Sequence, residues 1–184
     1  MKKTLIPLIA GVLLVQSAQA QVWVDHFSYS SGNLGAVGSS GGWSGSNVGV
    51  TVSSNNLDGT SLGLPASSGN KVTTATGSSS GTYNQFSSGI HTGAVYYSFL
   101  LRVGSTSGLT SSGTVTTGLL KNGSESSYYN DVWLRLDGAN VDIGLSKLRN
   151  GATWYSTPLT VGTTYFIVTK YQFGPSQGDD IVSL

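Results

Sequence analysis

Apolar and polar residues alternate with a period of two in recurring stretches after residue 20, the pattern of strands that bury one face. The clearest run is 94–103, with Val95, Tyr97, Phe99, Leu101 and Val103 on one face and Tyr96, Ser98, Leu100 and Arg102 on the other. Val132, Leu134 and Leu136 alternate with Trp133 and Arg135. Asp137-Gly138-Ala139-Asn140 then predicts a short hairpin connection, and Val141, Ile143 and Leu145 lie on the returning strand. A further strand is predicted over 163–173, with shorter ones at 22–25, 48–53, 71–76, 83–86, 115–120, 153–155 and 180–184. Gly/Ser/Asn clusters at 30–35, 38–45, 67–70, 104–113 and 122–127 separate them, and such clusters supply turns. No stretch after residue 20 has helical periodicity. The pattern predicts an all-β fold, a two-sheet antiparallel sandwich or jelly roll with almost no helix.

The first twenty residues differ. Met1-Lys2-Lys3 precedes an apolar run over 5–15 and then Ser17-Ala18-Gln19-Ala20, the layout of a bacterial secretory signal. The run is too short to span a bilayer. Cleavage is expected after Ala20, which leaves one domain over 21–184, outside the cytoplasm and without membrane insertion.

Loss of Lys2 and Lys3 takes the nine Lys and Arg residues to seven, against eight Asp and Glu. That balance offers no basic patch for nucleic acid. The absence of cysteine removes disulfides, thiol chemistry and Cys-based metal sites. Gly, Ser and Thr make up 75 of 184 residues, a fraction that would suit a disordered linker, but four Trp, nine Tyr and five Phe argue for a folded domain.

Several segments carry a family resemblance. They are Asp25-x-Phe27-x-Tyr29, Ser31-Gly32-Asn33-Leu34, Gly41-Gly42-Trp43-Ser44-Gly45, the Gly63-Leu64-Pro65 stretch that ends at Asn70, the strand from Val95, and Asp180-x-Val182-Ser183-Leu184. Together they resemble the secreted, exosortase-sorted (PEP-CTERM-type) proteins of bacteria. The resemblance implies a concanavalin A-like (laminin G-like) jelly roll and an extracellular or cell-surface role. The Pro-Glu-Pro motif, apolar segment and basic tail of that family are not in this sequence, so the expectation is a C-terminally truncated domain of a longer, surface-sorted parent.

Catalysis is not expected. A glucanase-type jelly roll needs two carboxylates about 5 Å apart, and this chain has one glutamate, Glu125. His26 and His91 stand without a partner motif. A non-catalytic domain is therefore expected, with extracellular polysaccharide or cell-surface glycan as partner. Trp133 and Arg135 share one strand face, with Tyr128, Tyr129 and Trp154 as rim, and aromatic planes with flanking donors suit sugar rings. The alternative is that Trp133 is core, as Trp is highly buried on average, and that the protein is purely structural. A glycoside hydrolase comes third. The resemblance also brings the terminal strands together, so Asp25 with Asp179 or Asp180 is a candidate for one structural calcium. The alternative there is a turn aspartate and a solvated pair.

Overall fold

The computed structural model describes residues 23–45, 49–75, 81–86, 89–120 and 128–184. The expected signal segment and cleavage point, Glu125 and the turn at 122–127 lie outside them. In chain order the elements are β1 (Gly32–Asn33), α1 (Leu34–Val37), β2 (Val50–Ser53), β3 (Lys71–Thr74), β4 (Ala94–Arg102), β5 (Thr114–Leu120), β6 (Tyr128–Asp137), β7 (Asn140–Lys147), β8 (Ala152–Trp154), β9 (Thr164–Gln172) and β10 (Ile181–Ser183). The only α-helix among the described residues is thus a single turn. It starts where the Asn33 side chain accepts from the Gly35 N–H.

The fold is all-β, built as three antiparallel sheets in the orders β1-β2-β3, β10-β9-β4 and β5-β6-β7-β8. The last two share one apolar cluster. Leu101 and Val103 near the end of β4 and Ile167 of β9 pack with Val132 and Leu134 of β6 and with Val141, Ile143 and Leu145 of β7. These are the apolar positions of the alternation, so the period-two pattern is realised as an inner face. Leu34 and Val52 are buried in the first sheet region, outside that cluster.

Two of the short predicted strands do not form. At 23–25 the chain turns instead, because the Asp25 carboxylate accepts from the Phe27 N–H at 2.6 Å and Phe27 takes φ +51°. Within 83–86 only Tyr83 pairs, in an isolated bridge to Ser44.

β6 holds an irregularity. Asn130 lies opposite Leu119 and Tyr128 opposite Leu120, so Tyr129 is an extra residue. A bulge of this kind interrupts the alternation of faces. The Tyr129 ring accordingly packs at 4.9 Å from Tyr171 and 5.6 Å from Phe173, on the side of the other sheet.

Candidate functional site

Directly opposed residues of an antiparallel pair share a face, so the register of the four-stranded sheet defines its outer surface. Asp131 stands between Gly118 of β5 and Ser146 of β7, Trp133 between Val115 and Gly144, and Arg135 beside Asp142. Trp154 of β8 follows Gly144 in the same row. Of the five sequence candidates, Trp133, Arg135 and Trp154 lie on this face and Tyr128 at its edge. Tyr129 does not join them, because the bulge turns it to the inner side.

Two glycines seat aromatic rings. A Cβ on Gly144 would stand 2.7 Å from the Trp154 ring, and one on Gly118 would stand 2.8 Å from Tyr128. An arginine covers each ring. The Arg135 guanidinium lies 4.5 Å from the Trp154 centroid, and that of Arg149 lies 4.3 Å from the Tyr128 centroid. Arg135 is held by Asp142 at 2.9 Å and by Asp137 at 3.0 Å. Trp154 therefore has backbone on one face and a guanidinium on the other. Trp133 is half-buried.

Between the two stacks lies a group that the alternation alone does not single out. Asp131 is 0 % exposed, and among the described residues neither carboxylate oxygen has a well-formed hydrogen bond, the Trp133 indole N–H being the donor that faces it. Ser146 Oγ across the strand pair and Trp133 Nε1 are likewise buried, and among the described residues neither completes a well-formed hydrogen bond. Arg149 Nε is 3.8 Å from Asp131 Oδ2. Burial pushes the Asp131 pKa up to about 6, and the Trp133 indole and Arg149 act against that rise. Ser146 and Arg149 are legible as a site only once the register is known. Asp131 could have been marked from sequence as an acidic residue inside an apolar strand.

The metal candidates fall into two places. Asp25 lines a cleft of about 380 Å³ with Trp23, His26 and Tyr29. Its oxygens accept from Phe27 N, from Tyr29 Oη at 2.7 Å and from Trp43 Nε1 at 2.6 Å. Asp180 lines a second cleft of about 260 Å³ with His91, Tyr129 and Phe173. It accepts from the Tyr171 hydroxyl and from Gly174 N, while Asp179 accepts from Ser176 Oγ. Each carboxylate is thus the hub of its own turn. Among the described residues no group of three His, Asp or Glu side chains is gathered to hold a metal ion.

Comparison with family models, curated proteins and solved structures finds no match for this chain.

Proposed function

We propose that the chain is a secreted, non-catalytic carbohydrate-binding or extracellular-matrix domain. In this reading it is a concanavalin A-like jelly roll of the exosortase-sorted type, and its partner is an extracellular polysaccharide or cell-surface glycan. The observation that carries the reading is the outer side of the four-stranded sheet, which Trp133, Arg135 and Trp154 share with the buried Asp131, with Tyr128 and its covering Arg149 at the edge. Aromatic bodies beside charged, hydrogen-bonding groups are what a sugar ring needs, and the inner core does not require them there.

The rival from another class, a structural surface protein with no ligand, is favoured by the covering of both faces of the Trp154 ring. Trp133→Ala separates the two. On the binding reading it removes every hit on a glycan array and costs less than the about 3–5 kcal/mol of a core aromatic. A large fall in melting temperature, with no hit for the wild type, leaves the structural reading. One calcium at Asp25 with Asp179 or Asp180 belongs to the proposal only if calcium raises the melting temperature above that in chelator. Coincident melts remove it.

A further inference from the structure

Buried polar atoms in folded proteins are almost always hydrogen-bonded, so a local group of unbonded ones calls for a reason. Among the described residues Asp131 Oδ1 and Oδ2, Ser146 Oγ and Trp133 Nε1 are such a group, on neighbouring positions of two paired strands, with the indole N–H facing the carboxylate without a well-formed bond to it. We propose that Asp131, Ser146 and the Trp133 indole form a hydroxyl-binding site for a neutral sugar or polyol, with the Arg149 side chain as its cover. The inference rests on the carbohydrate reading of this face and names which groups carry it.

The donor and acceptor inventory selects the ligand class. A carboxylate only accepts, an indole N–H only donates, and a serine hydroxyl does both. Adjacent ligand hydroxyls can donate to Asp131 and accept from Trp133 at the same time. A bare cation would meet the indole N–H and Arg149, and an anionic uronate would meet the Asp131 carboxylate.

Arg149 closes the site from a position that is easily given up. Its contact with Asp131 is a single long one through Nε, and its guanidinium otherwise rests on Tyr128. The turn that carries it has Leu148 at φ +55° and Arg149 at φ +58°. Neither residue is a glycine, and the left-handed region is costly for side chains of this kind. A backbone held in such a conformation is a marker of sites under functional constraint.

The test uses the mature chain and an array of neutral and uronic-acid-bearing oligosaccharides, with the Trp133 indole N–H resonance as a local reporter. The expected result is binding of neutral ligands with a shift of that resonance. Asp131→Asn and Ser146→Ala should each weaken binding by about tenfold or more, and Arg149→Ala should tighten it. Melting curves establish that each variant is folded, and if Asp131→Asn is not, Ser146→Ala and the indole resonance decide. Wild-type binding that survives both Asp131→Asn and Ser146→Ala overturns this site and leaves the carbohydrate reading standing. Binding confined to uronic-acid ligands overturns the ligand class, and weaker binding by Arg149→Ala overturns the cover. No binding by either wild type or Arg149→Ala removes the carbohydrate reading and this site with it.

Discussion

Two aspartates show how differently one residue type is used. Asp25 is met by three donors and ties Phe27, Tyr29 and Trp43 into one turn, which is a structural account of the Asp-x-Phe-x-Tyr and Gly-Gly-Trp segments. Asp131 is faced only by the Trp133 indole and, at longer range, Arg149, too little to offset burial, and its pKa rises from 3.8 to about 6. A raised acid pKa means that the folded state holds the proton more tightly than the unfolded chain. For this group stability is therefore highest below about pH 4, falls as pH rises through its folded pKa, and bears the full cost above that. A rise from 3.8 to about 6 corresponds to about 3 kcal/mol. Asp131→Asn, which mimics the neutral form, should thus raise stability at pH 8 by up to about that amount and leave it unchanged near pH 4. Urea melts at the two pH values check this, and an Asn variant that is less stable at pH 8 would show that the Arg149 pair outweighs burial.

At the scale of elements, the alternation was legible wherever strands are long and one-sided. The runs at 94–103 and 132–136, the hairpin at 137–140 and the strand from residue 163 all appear as β4, β6, β7 and β9. What the sequence does not display is the extra residue at Tyr129. A bulge depends on the partner strand's register, so the sequence offered Tyr129 as rim to Trp133 when its ring packs with Tyr171 and Phe173. The Leu148-Arg149 turn was equally hidden. The Asn150 N–H bonds to the Lys147 carbonyl at 3.1 Å across two left-handed residues, a geometry that ordinarily announces itself by Gly or Asn. Leu148→Gly should remove about 1–2 kcal/mol of backbone strain, less whatever the half-buried Leu148 side chain contributes. The expected outcome is a net gain in denaturant melts, and a net loss would mean that packing of Leu148 outweighs the strain.

On the scale of the whole molecule, Trp133 and Arg135 were legible because they alternate with Val132, Leu134 and Leu136, whereas the grouping of Asp131, Ser146 and Arg149 emerges only from cross-strand register. Register also sets where stability resides. The strands β6, β7 and β9 are central in their sheets, and their inner residues belong to one apolar cluster that Leu34 and Val52 do not join. Proteins open in cooperative units that follow such packing. Amides of β6, β7 and β9 should therefore exchange only on global unfolding, and those of β1–β3 at a lower free energy. Leu145→Ala should cost about 2–5 kcal/mol and reduce protection throughout, while Leu34→Ala should reduce it in β1–β3 and leave β6, β7 and β9 unchanged. Hydrogen exchange on the two variants decides the point. A uniform loss of protection from Leu34→Ala would mean that the first sheet and the shared cluster unfold as one unit.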